Sequence, residues 1–514
     1  MQFIRVALCL IVWALAVAAC HDGVPNPNRN LTMAAFAPMR HADYIISPHR
    51  VQAQIASLIH ADGDTLMADY FTRGYYAQGG RMLWIDRSGV DHRADTLLTY
   101  LAAVDSLGFS PQKFRVGLMR EDLRRLRQLD FDTLHTISKT IGRLEYYLTK
   151  YYLRYALGQR FGFVNPRFLF NRVDLVDTAR VSAGYRTLFA VGMDTPSAAF
   201  CRGAIAKVAH DSVAEFLRAI QPTDQLYRQY RAMLHDPALM ARYRTQILVN
   251  MERSRWRTHR SPSDYRKYVV VNIPSFTLTA IDGDQRMQMR VGCGSLAAKT
   301  PLLYSDIKRM DINPQWIMPK SIVRQSVARH AGDSGYFAHH NYIIRDRKSG
   351  KTLNPRLVSA DMLLSPSVSV IQRGGEGNSL GRIIFRFDNA FSVYLHDTPS
   401  RSFFARDNRA VSHGCVRVER PYDLAVFLLE DKSDRLKAKI QYSMTARLSA
   451  DREADQHPDT LQRRLLIGSQ RVDPTVPLFI TYCTLYPRSG GGVCSYPDVY
   501  GYDDLIINYL SNYR

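Results

Sequence analysis

The sequence predicts an α+β protein in which an all-helical N-terminal domain precedes a mainly β domain. First, apolar residues recur at helical spacing through residues 45–250, for example in segments 94–104 and 141–157. Second, the pattern changes at residues 267–273 to a short β-branched segment, and a tight turn follows at 282–284. Third, a length of 514 residues is typical of more than one domain.

Strands are predicted to dominate the second half of the chain up to about residue 445. One clear helix is expected at 421–430. Residues 320–380 interrupt the strands with a mixed insert, and a long insert beside a sheet is often a lid or substrate loop. The tail is predicted to form a hairpin at 477–500 and a closing helix at 503–513.

The composition is that of an ordinary globular protein, with 46% hydrophobic and 22% charged residues. There are 68 basic and 47 acidic residues, so the net charge is +21. Such a charge favours polyanions or an anionic surface. The sequence has no zinc-finger spacing, RNA-binding aromatic signature or phosphate loop, and its charge is spread out. Nucleic acid is therefore not an expected partner, whereas an anionic membrane or a carboxylate-rich wall polymer is.

The first twenty residues indicate export. Arg5 precedes an apolar segment at 6–16, and small residues lead to Cys20, as in a secretory signal peptide. This end also resembles a bacterial lipobox, in which Cys20 would carry lipid; the alternative is a plain signal peptide with an incidental cysteine. The polar, proline-rich residues that follow are typical of a tether. We therefore expect a membrane-anchored lipoprotein of the periplasm, with no later membrane span.

The other cysteines form no disulfide framework, because they are odd in number and widely spaced. Cys483 and Cys494 flank a glycine-rich turn, so they either pair across a hairpin or remain two thiols. Cys293 lies at the end of a predicted hairpin. The tandem His339 and His340 are interpreted as part of a solvated loop.

The residues that indicate chemistry lie between 394 and 418. His396 ends a predicted strand, and nineteen positions later Cys415 follows His413 and Gly414. A thiolate nucleophile needs a nearby base, for which His396 is the better candidate, whereas His413 would orient the loop. The amides of Gly414 and Cys415 would form an oxyanion hole, and Arg417 would bind a carboxylate.

Two other interpretations of these residues remain open. A single cysteine in a strand is usually a small buried apolar residue, and a single histidine is usually structural. Zinc also accepts His396, His413 and Cys415 as ligands.

The segment 412–418, with a histidine at this distance upstream, resembles the active-site motif of the L,D-transpeptidase catalytic domain (YkuD type). Other segments resemble the large periplasmic, YcbB-like subgroup of that family: 83–86, 108–111, 269–273, 372–375, 378–382, 394–400, 404–407, 478–482 and 498–501. The peptidoglycan-binding module of many relatives has no room between residues 221 and 253.

The resemblance implies a domain order. It comprises a lipoprotein signal peptide (1–19), a tether (20–44), a helical scaffold domain (45–255), a catalytic domain (265–446) with its lid-like insert (about 320–380), and a C-terminal hairpin and helix (447–514) that pack on either domain.

The resemblance also implies roles. Cys415 would be the nucleophile and His396 its base, with the Asp397 carbonyl as third partner and His413 for orientation. The oxyanion site would use Gly414 and Cys415. The substrate contacts would be Arg417, Tyr394, Ser412 and Asn378. No metal or organic cofactor is implied.

The implied reaction is 3→3 cross-linking of peptidoglycan tetrapeptide stems through a cysteine thioacyl-enzyme, which carbapenems would inhibit. The alternatives are an L,D-carboxypeptidase, attachment of a protein to peptidoglycan by the same cysteine, and a non-catalytic wall-binding scaffold. The expected partners are peptide stems, the membrane through the lipid anchor, and other cell-wall synthesis enzymes.

Overall fold

The structure is a computed structural model that describes residues 45–86, 89–176, 184–446, 461–487 and 492–514. The predicted signal peptide, Cys20 and the predicted tether lie outside these residues. None of the helices in the described ranges has the length and apolar character that crossing a membrane requires.

The chain divides into two compact units. Unit 1 contains the described residues through Val164, together with 194–257 and 506–514, and unit 2 contains 165–193 and 258–505. The predicted scaffold range of 45–255 differs from unit 1, because residues 165–193 cluster with unit 2.

Unit 1 is built mainly from helices, which confirms the helical prediction for this half of the chain, and it also contains a short hairpin of Ile85–Asp86 and Gly89–Val90. Its helices are α1 (Pro48–Ala61), α2 (Met67–Ala77), α3 (His92–Ala102), α4 (Val116–Gln128), α5 (Ile137–Phe161), α6 (Ala198–Ala209), α7 (Val213–Ala219), α8 (Gln225–Met233) and α9 (Pro237–Arg253).

The long helix α5 is the centre of unit 1, since most of its 25 residues are buried. Buried Glu145 on this helix accepts hydrogen bonds from the amides of Leu83 (2.5 Å) and Trp84 (3.1 Å). Burial raises the pKa of Glu145, and these bonds oppose that shift. The helix thereby holds the segment that enters the short hairpin.

Unit 2 contains a nine-stranded mixed sheet. Its strands are β1 (Lys267–Asn272), β2 (Thr277–Asp282), β3 (Gln285–Gly294), β4 (Leu303–Ile312), β9 (Ile383–Phe387), β10 (Leu395–His396), β11 (Ala410–Ser412), β12 (Val416–Val418) and β13 (Ser469–Thr481). The order is β11-β3-β12-β10-β9-β4-β13-β1-β2, and β3 also pairs with β2, so the order closes on itself. The mainly β prediction is confirmed, and helices α12 (Pro421–Leu428) and α13 (Asp434–Thr445) follow β12.

Strand β13 differs from the prediction for the tail. Residues 477–481 were expected in a terminal hairpin, but they lie in β13, between β4 and β1. Leu478, Phe479 and Ile480 are fully buried in succession, as in strands covered on both faces. The hairpin is instead β14 (Leu485–Pro487) with β15 (Val493–Ser495), and α14 (Tyr502–Leu510) follows. Cys494 lies opposite Tyr486 in this hairpin.

The insert is a folded layer with its own sheet, of order β7-β6-β8-β5. Its strands are β5 (Trp316–Ile317), β6 (Tyr342–Asp346), β7 (Thr352–Leu353) and β8 (Val368–Gln372), and its helices are α10 (Ser334–His339) and α11 (Ala360–Leu364). Phe337, Ile344 and Leu363 belong to its separate hydrophobic cluster.

The tandem histidines of the insert do not lie in a solvated loop. His339 is the exposed last residue of α10, and half-buried His340 follows it. The His340 ring lies 4.3 Å from the Tyr336 ring and 5.3 Å from the Tyr342 ring, between centroids. Aromatic packing therefore holds His340 in place.

Candidate active site

Two neighbouring strands bring the predicted nucleophile and base together. Strands β10 and β12 are parallel, with Leu395 opposite Val416 and His396 opposite Arg417. The same register places Cys415, which directly precedes β12, level with Tyr394. Because side chains two positions apart in a strand share a face, Tyr394, His396, Cys415 and Arg417 can face one space. All four line the same cavity.

This site cavity has a volume of about 850 Å³. Its charged lining is cationic: Lys320, Arg347, Arg386 and Arg417 contribute, and none of the described residues that line it is Asp or Glu. Arg386 is paired with Asp311 outside the cavity. The lining suits a ligand that carries carboxylates.

His396 is buried, with 4% of its surface exposed. Its Nδ1 lies 2.5 Å from the carbonyl oxygen of Asp397, which is the geometry expected of the predicted third partner. Burial lowers the pKa of His396 to about 4, against the effect of the Asp397 and Leu380 carbonyls, and Arg417 lowers it further. The imidazole is therefore neutral at pH 7 and able to accept a proton.

Cys415 is half-buried at the cavity wall. Burial raises the pKa of its thiol, whereas the Tyr394 amide, as a donor to the sulfur, and the charge of Arg417 lower it. The resting pair is thus a thiol and a neutral imidazole, which is consistent with the predicted need for a base beside Cys415.

The nucleophile loop, residues 412–415, is held by its own serine. The Gly414 amide donates to Ser412 Oγ at 3.1 Å, and Ser412 Oγ donates to the Cys415 carbonyl at 2.5 Å. The predicted oxyanion amide of Gly414 is therefore already engaged. Among the residues that the structure describes, none accepts a hydrogen bond from the Cys415 amide. This leaves Cys415 as the remaining oxyanion donor of the predicted pair.

The backbone conformation at position 414 requires glycine. A Cβ there would lie 3.6 Å or more from the surrounding protein atoms, so packing alone would tolerate a side chain. The Gly414 φ of +112°, however, is a conformation that residues with side chains rarely adopt.

Arg417 extends into the cavity without a carboxylate partner among the described side chains. Its guanidinium lies 5.6 Å from the Phe403 ring centroid, and its buried Nε has no hydrogen-bond partner. Tyr394 lies beneath Arg386, whose guanidinium is 5.2 Å from the ring centroid. Exposed His413 also lines the cavity. The positions of Arg417 and Tyr394 suit their predicted substrate contacts, and the orienting role of His413 stays a prediction.

Asn378 and Ser412 do not have the simple substrate-contact role that was predicted. Asn378 is buried outside the cavity lining, and its amide donates to the Arg373 carbonyl (2.8 Å) while its oxygen accepts from the Leu380 amide (2.8 Å). Asn378 therefore shapes the glycine-rich loop before β9. Ser412 lines the cavity but is buried, and its hydroxyl is engaged within the nucleophile loop.

Sequence reasoning missed the cavity wall that the insert supplies. Trp316, Met318, Ile322 and Tyr342 of the insert line the same cavity as the nucleophile loop. The only signal for them was the length of the insert, because none lies in a motif.

Within the described ranges, no group of three or more His, Cys, Asp or Glu side chains is arranged to hold a metal ion.

The comparisons with known proteins identify both halves of the chain. A family model described as an L,D-transpeptidase catalytic domain matches residues 266–437, and one described as a scaffold domain matches residues 69–234. A Haemophilus influenzae protein named "Putative L,D-transpeptidase" is 26% identical over 321 residues. That alignment covers 60% of this chain and 60% of the relative, so the chain spans about three fifths of the length of the curated relative.

A solved structure of an L,D-transpeptidase from Mycobacterium smegmatis is 13% identical and covers 42% of this chain and 58% of its own. Its TM-score of 0.19 is too low to bear on the fold. The two family matches carry the assignment: the chain contains an L,D-transpeptidase catalytic domain at residues 266–437, preceded by a scaffold domain at residues 69–234.

Proposed function

We propose that this chain is an L,D-transpeptidase that forms 3→3 cross-links between peptidoglycan stems through a thioacyl intermediate on Cys415. The observation that carries the proposal is the site cavity, which is lined by a half-buried thiol, a buried neutral imidazole and a guanidinium without a carboxylate partner. The family match supports the reaction class.

The first step acylates the enzyme. As the sulfur of Cys415 forms a bond to the carbonyl carbon of the third stem residue, its proton passes to His396. The bond from that carbon to the nitrogen of the terminal D-alanine then breaks, and the leaving amine takes the proton from His396. The Asp397 carbonyl orients the imidazole through Nδ1 and favours its protonated form.

The second step transfers the acyl group. The side-chain amine of a diamino acid on another stem attacks the thioester carbon, the C–S bond breaks, and the proton lost by the amine returns to the sulfur through His396. Stem peptides carry carboxylates, which would be bound by the cationic side chains of the cavity, including the Arg417 guanidinium that has no carboxylate partner among the described side chains. The walls contributed by the insert would exclude water, which otherwise competes with the amine.

The test is intact-protein mass spectrometry after incubation with a carbapenem and then with tetrapeptide-bearing muropeptides, with Cys415→Ala as control. An adduct on the unmodified protein alone, followed by a cross-linked dimer, supports the proposal. Release of tripeptide alone would identify a carboxypeptidase, and a muropeptide joined to another protein would identify an attachment enzyme. A folded protein that forms no adduct would be a non-catalytic scaffold.

The proposal includes a periplasmic location, with the chain anchored through lipid on Cys20. Its support is the sequence of residues 1–20, a signal-like segment that ends in cysteine. Metabolic labelling with a fatty acid should mark the unmodified protein and not Cys20→Ser. Labelling of both would remove Cys20 as the anchor.

A further inference from the structure

A buried hydroxyl network lies behind the nucleophile loop. Thr300 is fully buried, and its hydroxyl donates to the Gly414 carbonyl at 2.9 Å and accepts from the Gly294 amide at 2.8 Å. The hydroxyl of Tyr500 donates to the Gly294 carbonyl at 2.7 Å and accepts from the Thr300 amide at 3.1 Å. Each hydroxyl therefore has both a donor and an acceptor partner, which fixes its orientation.

The network constrains one particular peptide group. In a trans peptide the C=O and N–H bonds point in opposite directions. Because Thr300 holds the Gly414 carbonyl behind the loop, the amide of Cys415, which belongs to the same peptide, points away from Thr300. That amide has no acceptor among the residues that the structure describes, whereas Ser412 engages both the Gly414 amide and the Cys415 carbonyl.

We propose that Thr300, supported by Tyr500, is a positioning residue that aims the Cys415 amide at the carbonyl oxygen under attack. This inference rests on the proposed function, in which Cys415 attacks a carbonyl group. The hydroxyls of Thr300 and Ser412 hold three of the four backbone polar groups of Gly414 and Cys415 and leave the fourth, the Cys415 amide, to stabilise the oxyanion. Neither Thr300 nor Tyr500 lines the site cavity, so the role of each would be exerted through the nucleophile loop.

The reaction rates of Cys415 with two electrophiles distinguish the positioning role of Thr300 from a general structural role. When the sulfur of Cys415 attacks a carbapenem, an S–C bond forms and the carbonyl π pair moves to oxygen. The oxyanion then collapses, the lactam C–N bond breaks and the nitrogen takes a proton. With iodoacetamide, the thiol proton passes to His396, the sulfur bonds to the methylene carbon and iodide leaves, so no oxyanion forms. Only the first reaction needs the amide.

The experiment compares both second-order rates in the full chain and in three variants. Thr300→Val keeps the shape and removes the hydroxyl, Thr300→Ser keeps the hydroxyl, and Tyr500→Phe removes the supporting hydroxyl. We expect carbapenem acylation of Thr300→Val to slow by about tenfold to a hundredfold. Without the Thr300 hydroxyl, the Cys415 amide would no longer point at the oxyanion and would stabilise it little. Its alkylation should stay within about twofold of the unmodified protein, since the thiol is unchanged.

Thr300→Ser should restore acylation, and Tyr500→Phe should show the same selective slowing to a smaller degree. Equal slowing of both reactions in Thr300→Val, or no slowing of either, would overturn the inference while leaving Cys415 as the nucleophile. If Thr300→Val does not fold, Tyr500→Phe decides by the same criterion. A folded unmodified protein that the carbapenem does not acylate would overturn the proposed function and this inference together.

Discussion

Two cysteines in the same sheet have opposite surroundings. Cys293 lies at the end of β3 opposite Ala410, fully buried, and burial raises the pKa of its thiol to about 12. Cys415 lies just before β12, which also pairs with β3, but it borders the cavity. The Tyr394 amide and the charge of Arg417 oppose the effect of burial at Cys415.

The difference shows which surroundings distinguish the proposed nucleophile from a buried cysteine. Both side chains are thiols, and burial raises the pKa of both. Access to a cavity, a donor to the sulfur, a cation and an unengaged amide distinguish Cys415. We therefore expect the two positions to respond in opposite ways to substitution.

The largest expected effect is at the nucleophile. Cys415→Ala should lower carbapenem acylation by at least about a thousandfold, because no other described thiol lines the cavity. The matched variant Cys293→Ala should acylate normally and lose about 1 kcal/mol of unfolding free energy, as for a small buried apolar group. Stopped-flow acylation and chemical denaturation measure the two quantities. An adduct on Cys293 would end the contrast between the two cysteines.

The next effect is at the base. His396→Gln should slow acylation by about a hundredfold to ten-thousandfold, since the thiol would lose its proton acceptor. His339→Gln is the control, because exposed His339 lies outside the cavity lining. The ratio of the two acylation rates tests the assignment, and comparable losses in both variants would contradict it.

A smaller effect is expected at the cation beside Cys415. Arg417→Gln should lower kcat/KM for a tetrapeptide stem by about tenfold to a hundredfold, because a charge-assisted hydrogen bond to a carboxylate is lost. Arg420→Gln is the control, since Arg420 is exposed and pairs with Asp423. A melting temperature that falls in proportion to kcat/KM would instead mean that Arg417 is structural.

The smallest expected effect is a pH dependence of stability. Burial lowers the pKa of His396 to about 4, whereas the unfolded chain binds this proton near pH 6.5. The free energy of unfolding therefore falls as the pH falls from about 6.5 toward 4. The contribution of His396 to this loss is about 1 kcal/mol between pH 7.5 and 5.5. Denaturation curves of the unmodified protein and of His396→Gln should differ by this amount in their pH dependence, and identical curves would place the shift elsewhere.

Much of the fold could be predicted because its signals are local. Helical spacing in the first half and the β-branched segments around residues 267–281 correspond to α5, β1 and β2. Strand β13 could not be placed in the same way. Its apolar residues form a run without alternation, and its partners β4 and β1 lie far away in sequence.

The sequence by itself determined which groups are proposed to react, because Cys415, Gly414 and His413 are consecutive and His396 precedes them at a characteristic distance. The folded chain decided how those groups are held. Thr300 reaches Gly414 across 114 positions, and the insert forms a cavity wall from residues in no motif. In the folded chain the Gly414 amide donates to Ser412 Oγ, whereas the Cys415 amide has no acceptor among the described residues. Such contacts depend on which distant strands and loops pack together, and no local pattern of residues encodes that pairing.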